Sequence, residues 1–243
     1  MNFTYSAYRG LISLLKQKDY CFCGYSDYAD KKKCVIMRHD IDNSVERAAK
    51  LAQVEHEEGI RSTYFVLLKT DFYNPASKRV NDNLHAIKDM GHEIGLHFDE
   101  TVYQGCSEEV LKEKIREEAD ILSAICGFPI RSFSMHRPNK VTLEKSLEIP
   151  GLVNSYGEEF FRNFKYLSDS RRNWREPVLD VIQSGEYNRL HILTHAFWYG
   201  EKEESIQEAV KGYILAARKE RYRSFSENIR DLEQIVSLSD ITE

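Results

Sequence analysis

The sequence contains no apolar run that approaches the roughly 20 residues required to cross a membrane. Residues 1–5 lack the charged segment and apolar block of a secretion signal, and we therefore expect a cytoplasmic location. The chain also lacks a basic surplus, because its 34 lysines and arginines face 39 aspartates and glutamates. Nucleic-acid binding needs a basic face, so we expect no nucleic-acid partner.

Cysteine is scarce, and its spacing does not indicate a disulfide framework, since the five cysteines are odd in number and irregularly spaced. Cys21 and Cys23 form one C-x-C pair, but no second pair exists to complete a four-cysteine metal site. We expect reduced thiols, as in a cytoplasmic protein. A chain of 243 residues buries a core that needs neither disulfides nor a structural metal.

Strand and helix signals alternate along almost the whole chain. Apolar residues at helical spacing predict a helix over 6–18, and the clearest strand is predicted over 62–68. About seven strands separated mainly by helices predict a parallel, barrel-like α/β fold. The sequence contains no low-complexity linker, repeat or break in composition, which favours a single domain over 1–243.

Polar side chains suited to metal chemistry follow four of the predicted strands. They are Asp40 and Asp42, then His97, then His136 and Arg137, and finally His195. The carboxyl ends of strands in an α/β barrel meet at one mouth, so we expect these side chains to lie together. A single histidine at a strand end is more often structural, but four strands ending in this manner indicate a site. A carboxylate with imidazoles suits zinc or another divalent transition metal.

Five motifs resemble those of the polysaccharide deacetylase (NodB-like) superfamily of carbohydrate amidases and esterases. They are Arg38-His39-Asp40-Ile41-Asp42, Gly91-His92-Glu93-Ile94-Gly95-Leu96-His97, His136-Arg137-Pro138, Ser168-Asp169-Ser170 with Trp174-Arg175-Glu176, and Leu193-Thr194-His195 continuing to Trp198. They occur in the order of the family and cover roughly residues 34–200. The resemblance implies a distorted, incomplete (β/α) barrel of about seven parallel strands, which agrees with the independent strand count.

The resemblance also implies a role for each matching residue. Asp40 is expected to be the catalytic base and Arg137 to be its partner. His195 is expected to be the general acid. Asp42 and His97 are expected to bind the metal, with zinc as the first choice and nickel, manganese, cobalt and iron as alternatives.

One position departs from the family pattern. The second motif usually has another metal-binding histidine four residues after the first, and Thr101 stands there in this chain. We expect His136 to replace the missing ligand, because it ends a predicted strand immediately before Arg137. His39, Asp99 and Glu100 remain alternatives.

The fourth and fifth motifs supply three further candidates for the substrate-binding wall. Asp169 and Trp174 match an Asp/Trp element that supports the wall of the site. Trp198 follows the acid motif closely enough to stack on a sugar. Packing in the hydrophobic core is the plain alternative for both tryptophans.

The residues predict a metal-dependent hydrolase, and the resemblance implies that it removes an N- or O-acyl group, such as acetyl, from a carbohydrate or sugar precursor. Two other hypotheses stay open. Thr101 favours a catalytically inactive barrel that binds metal or sugar, and a similar site can also hydrolyse another carbon–nitrogen amide bond. The expected partner is the carbohydrate substrate, and the sequence specifies no oligomeric state.

Overall fold

A computed structural model describes residues 1–139, 142–143 and 147–242, and its centre is one parallel β-sheet. The eight strands are β1 (Cys21–Cys23), β2 (Cys34–Ile41), β3 (Thr63–Leu67), β4 (Glu93–Asp99), β5 (Ser132–His136), β6 (Val153–Asn154), β7 (Lys165–Ser168) and β8 (Arg189–Thr194). Seven of them follow the order β6-β5-β4-β3-β2-β8-β7, and β1 pairs with the first residues of β2. Every pairing is parallel, and the sheet curls into an incomplete barrel. The predicted fold class is therefore confirmed.

Helices connect most of the strands. The four long ones in the amino-terminal half are α1 (Tyr5–Gln17), α2 (Val45–Glu57), α3 (Lys78–Asp89) and α4 (Glu108–Cys126). Further helices span Glu158–Arg162, Val178–Ser184, Ile206–Ser226, Leu232–Ile235 and Leu238–Thr242, and single 3-10 turns span Glu100–Tyr103, Ser170–Arg172 and Ala196–Trp198. Side-chain caps begin several of them, as at α1, where Thr4 accepts a hydrogen bond from the Ala7 N–H at 3.1 Å.

The central strand β2 is buried at all eight of its positions, as expected for a parallel strand with both faces covered. Alternation sends Val35 and Met37 to the large core beneath the helices, while Ile36 packs in a smaller cluster on the other face. Arg38 and Asp40 continue the row of Ile36. Strand β2 therefore contributes apolar side chains to the hydrophobic core and places the charged side chains of Arg38 and Asp40 inside the barrel.

The described chain divides into two compact units, Met1–Glu201 and Lys202–Glu243. The whole sheet and all five motifs lie in the first unit, and the second contains the last three helices. The assignment of 1–243 to a single domain stays a prediction. Within the ranges that the structure describes, no helix is both long and apolar enough to cross a membrane.

Candidate metal centre and active site

The carboxyl ends of β2, β4 and β5 bring three candidate ligands together. Asp42 Oδ1 lies 3.3 Å from His97 Nε2 and 3.3 Å from His136 Nδ1. The two imidazole nitrogens are 3.1 Å apart. These three side chains form a group capable of holding a metal ion in the described part of the chain. They are the two ligands that the resemblance implies, Asp42 and His97, together with His136, the expected substitute for the missing histidine.

The chemistry of this triangle fits a divalent transition metal. Asp42 Oδ1 is buried and has no hydrogen-bond partner among the described residues, although burial of a bare carboxylate oxygen is costly. In the tautomers that leave both nitrogens unprotonated, His97 Nε2 and His136 Nδ1 direct lone pairs at each other and at this oxygen. A tetrahedral zinc with ligands at about 2.0–2.2 Å places its ligand atoms about 3.3–3.6 Å apart, close to the spacing observed here.

A neighbouring hydroxyl orients the first imidazole of the triangle. His97 Nδ1 lies 2.6 Å from Ser134 Oγ, and these residues are paired across β4 and β5. A hydrogen bond at Nδ1 leaves His97 Nε2 directed at Asp42 and His136. Supporting bonds of this kind are common for histidines that bind metals, because they select the ring tautomer.

The carboxylate of Asp40 is held by an arginine of its own strand. Arg38 Nη2 donates to Asp40 Oδ2 at 2.7 Å and to Asp40 Oδ1 at 3.1 Å. Arg38 Nη1 donates to Ser155 Oγ at 2.9 Å, and the Arg38 side chain is completely buried. Because alternate side chains of a strand share a face, the two-residue spacing places this guanidinium beside Asp40 inside the barrel.

The structure thus corrects the expected pairing of Arg137 with Asp40. Arg137 instead forms an ion pair with Asp99 and donates to Thr101 Oγ1 at 3.3 Å. Arg137 follows the last residue of β5 with a φ of 53°, so the backbone turns out of the strand direction there. A catalytic role for Arg137 stays a prediction.

Both carboxylates of the first motif are held in their ionised form. Burial raises the pKa of Asp40, but the charges of Arg38, His97 and His195 outweigh it and leave that pKa below its usual value. Burial likewise opposes ionisation of Asp42, whereas the imidazoles of His136 and His97 bring its pKa far below the ordinary range. Asp40 can therefore accept a proton at neutral pH.

A buried aspartate positions His195 at the end of β8. His195 Nδ1 lies 2.7 Å from Asp169 Oδ1, and the His195 backbone N–H donates to the same oxygen at 3.0 Å. The Tyr199 hydroxyl donates to Asp169 Oδ2 at 3.1 Å. Burial lowers the pKa of His195, but the hydrogen bond and charge of Asp169, followed by the charge of Asp42, raise it to about 9. His195 Nε2 faces the ligand triangle, 3.9 Å from Asp42 Oδ2.

The other candidates for the third ligand point elsewhere. His39 lies on the opposite face of β2, where its Nε2 is 2.9 Å from Glu55 Oε1. Asp99 is paired with Arg137. Glu100 Oε1 accepts the backbone N–H of residue 139 at 2.9 Å. Of the four candidates for the third ligand, His136 is therefore the one that joins Asp42 and His97.

The predicted ligand and proton-transfer residues share one cavity of about 400 Å³. Its wall includes Asp40, Asp42, His97, His136, Arg137 and His195, together with Tyr156, Tyr166, Ser168, Ser170, Arg171 and Arg175. Met135, Pro138, Leu143, Phe161 and Leu193 complete the wall, so hydroxyl groups and arginines stand beside apolar side chains around the ligand triangle.

The two tryptophans do not line this cavity. Trp174 and Trp198 are partly buried against the larger hydrophobic core, and the Trp198 ring lies 4.9 Å from that of Phe197. The substrate-binding role proposed for them from the sequence stays a prediction. Asp169, the third wall candidate, lies beneath His195.

Two contacts of the site escaped prediction from the sequence. Arg38 stands inside the first motif, and period-two alternation from Asp40 is the signal that would have identified it. The bond from Asp169 to His195 joins the ends of β7 and β8, which are neighbours in the sheet. That adjacency was not evident from the order of the strands in the sequence.

Comparison with known proteins found no matching family model and no matching curated protein. Among solved structures, the chain is similar to carbohydrate esterases and polysaccharide deacetylases at low identity. This is the group that the sequence motifs resemble.

Three of these structures show the level of similarity. A deacetylase of Streptococcus pyogenes is 14% identical with a TM-score of 0.46, and the match covers 58% of this chain and 66% of the other. A chitin deacetylase of the fungus Colletotrichum lindemuthianum is 14% identical with a TM-score of 0.48, covering 77% and 83%. A family 4 carbohydrate esterase pseudoenzyme of Bacillus anthracis is 16% identical with a TM-score of 0.41, covering 79% and 62%. A likeness this distant carries no function to this chain.

Proposed function

We propose that the chain is a metal-dependent hydrolase that removes an N- or O-acyl group from a carbohydrate or sugar precursor. The observation that best supports this function is a proton acceptor and a proton donor beside the same three-ligand triangle. Asp40 Oδ2 lies 3.7 Å from His97 Nε2, and His195 Nε2 lies 3.9 Å from Asp42 Oδ2. A module that only binds metal or sugar needs neither group.

Each side chain has a defined task in the proposed reaction. A divalent ion bound by Asp42, His97 and His136 would polarise the acyl carbonyl and make water more acidic. Asp40, fixed by Arg38, accepts the proton that water loses as it attacks the acyl carbon. His195 then donates a proton to the departing nitrogen or oxygen, so that the sugar leaves as a neutral amine or alcohol.

The cavity wall supports a sugar as the substrate. Tyr156 and Tyr166 contribute rings, which suit the apolar faces of a sugar. Ser168 and Ser170 contribute hydroxyls, with their Oγ atoms 2.6 Å apart. Polyols are recognised through such combinations of hydroxyl groups and ring faces.

The proposal is tested by measuring metal content and acetate release on the same preparations. Metal is quantified by elemental analysis after zinc, nickel or manganese is supplied, and acetate release is measured on N- and O-acetylated sugars. Asp40→Asn and His195→Ala should each retain the metal and lower kcat by about 10²–10⁴-fold. Asp42→Ala, His97→Ala and His136→Ala should lose the metal.

Matched controls come from α3, where Asp82 and His85 are exposed. Asp82→Asn and His85→Ala should leave both metal content and kcat unchanged. Full activity of Asp40→Asn or of His195→Ala contradicts the assigned roles. Absence of bound metal from the wild-type protein would favour the inactive barrel instead, and turnover confined to amides without a sugar would change the substrate class.

A further inference from the structure

Two arginines line the cavity without an acidic partner. Arg171 and Arg175 belong to its wall and are exposed. Within the part of the chain that the structure describes, neither forms an ion pair, whereas Arg137 on the same wall is paired with Asp99. Both guanidinium groups therefore belong to the cavity wall without an acidic partner among residues 1–139, 142–143 and 147–242.

Two acidic side chains belong to the described wall of the cavity, and each lies beside a basic side chain. Asp40 is paired with Arg38 behind the wall, and Asp42 Oδ2 lies 3.9 Å from His195 Nε2. A divalent ion held by the ligand triangle would add further positive charge. The cavity is therefore positive around Arg171 and Arg175, and a cleft lined by one sign of charge concentrates ligands of the opposite sign.

The turn that carries Arg171 places its positive charge on the side of the site where His195 lies. The 3-10 turn Ser170–Arg172 follows directly after Asp169, the residue that holds His195. Asn173 N–H donates to the Asp169 carbonyl at 3.1 Å and closes the turn. Arg171 has a φ of 60°, a left-handed conformation that is strained for a residue other than glycine. The chain thus holds Arg171 on the wall of the general acid.

This position relates the arginines to one part of the substrate. In the proposed reaction His195 protonates the departing nitrogen or oxygen of the sugar, not the acyl group. The sugar and whatever is attached to it must therefore lie along the wall of His195, where Arg171 is held. A charge bound by Arg171 belongs to the carbohydrate side of the cleaved bond.

We infer that the substrate is an acylated sugar bearing an oxyanion, either a carboxylate or a phosphate, which Arg171 and Arg175 bind. The inference rests on the deacylase function proposed above and narrows its substrate class. The planar fork of arginine matches both kinds of oxyanion with paired hydrogen bonds. A neutral sugar polymer would leave both guanidinium groups without a partner.

The test compares neutral and anionic substrates. The probes are N-acetylmuramic acid for a carboxylate, UDP-N-acetylglucosamine for a phosphate, and tri-N-acetylchitotriose as the neutral substrate. KM and kcat for acetate release are measured on the metal-loaded wild type and on the double variant Arg171→Gln/Arg175→Gln. Arg131→Gln is the matched control, because Arg131 is exposed and precedes β5 at the opposite end of the strands.

The double variant should raise KM for an anionic substrate by about tenfold to a hundredfold, with kcat changed little, since a hydrogen bond between charged groups is lost. KM for the neutral substrate should stay the same, and Arg131→Gln should behave as the wild type. The anionic substrate that responds identifies the carboxylate or the phosphate. Equal efficiency with all three probes, unaffected by the double variant, would overturn the inference while leaving the deacylase function intact.

Failure of the proposed function gives a different result. If no probe releases acetate, the dissociation constants of the two anionic probes are measured by calorimetry on the same proteins. Binding that the double variant loses and Arg131→Gln retains supports an oxyanion site in a barrel without this activity. Absence of binding by both anionic probes overturns the inference.

Discussion

At the scale of single residues, the proposed proton acceptor depends on one buried guanidinium. Arg38 is completely buried, and its guanidinium carbon lies 4.7 Å from the ring centroid of Tyr156 and 5.3 Å from that of Phe65. The guanidinium side of its hydrogen bonds to Asp40 is therefore shielded from water. Removal of either member of such a pair leaves an uncompensated charge in the barrel.

Arg38→Met should destabilise the protein by about 3–5 kcal/mol, because the Asp40 carboxylate loses its buried partner. The measurement is the free energy of unfolding from urea titrations at neutral pH. Arg137→Met is the control, since Arg137 is 62% exposed and its partner Asp99 keeps the hydrogen bonds from Thr101. That change should cost no more than about 1 kcal/mol. Equal losses in the two variants would contradict the assignment of Arg38 as the partner of Asp40.

At the scale of secondary-structure elements, a buried carboxylate of α2 joins two helices to two strands. Glu55 has no exposed surface and accepts hydrogen bonds from Tyr8 of α1 at 2.7 Å and Tyr64 of β3 at 2.7 Å. It also bonds with His39 of β2 at 2.9 Å and with Ser62 before β3. These contacts anchor α2 against the face of the sheet opposite Asp40.

This contact predicts a specific dependence of stability on pH. Burial raises the pKa of Glu55, but the charge and hydrogen bond of His39, with help from His92 and Ser62, lower it from 4.5 to about 2. Between about pH 2 and pH 4.5, Glu55 is protonated in the unfolded chain but remains ionised in the folded protein. The free energy of unfolding therefore falls as pH drops through this range. The contribution of Glu55 is complete above about pH 4.5, and about 3 kcal/mol of it is lost by about pH 2.

Glu55→Gln removes this carboxylate while keeping its shape. It should be less stable than the wild type by at least about 3 kcal/mol at pH 7, because several buried donors lose their acceptor. Urea titrations between pH 7 and pH 2.5 should show the gap narrowing as the solution becomes acidic. A gap that stays constant over this range would contradict the lowered pKa of Glu55.

The register of β3 and β4 leaves no room for a side chain at one glycine. A Cβ added to Gly95 would lie 2.8 Å from Ser132 Oγ and closer still to the ring of Phe65. Gly95→Ala should therefore cost about 1–3 kcal/mol of unfolding free energy through displacement of that ring. Gly10→Ala in α1 is the matched control, because an added Cβ there meets no atom within 4 Å. It should stabilise the protein by about 0.5–1 kcal/mol, and a loss of the same size in both variants would rule out the steric cause.

At the scale of the whole molecule, the ligand triangle joins parts of the chain that are far apart in sequence. Asp42, His97 and His136 follow β2, β4 and β5, so an ion bound by all three ties these strands together at the mouth of the barrel. An ion that binds only the folded state must stabilise it in proportion to its affinity and concentration.

Zinc at about 100 times its dissociation constant should raise the free energy of unfolding by about 2.7 kcal/mol, or Tm by about 5–10 °C. Differential scanning calorimetry with and without zinc, and after removal by a chelator, measures this shift. His136→Ala should abolish it, and the exposed His85→Ala should preserve it. A shift of equal size in both variants would place the ion at another site.

Much of the candidate site was predictable because its residues lie at strand ends. The strand signals before Asp40, His97, His136 and His195 predicted that these side chains share one mouth, and the structure brings them together. That prediction needs only the rule that parallel strands present their carboxyl ends on the same side. The choice of His136 over Asp99 as a ligand followed from the same reasoning and agrees with the geometry of the triangle.

The sequence by itself therefore determined the α/β class, the parallel arrangement and the set of side chains at the mouth, because these follow from local periodicity. Only the tertiary structure decided which side chains pair. Arg38 rather than Arg137 binds Asp40, since the backbone turns at Arg137. Asp169 holds His195 because β7 and β8 are adjacent in the sheet. Pairings at 3 Å depend on strand neighbours and backbone direction, which local patterns along the chain do not contain.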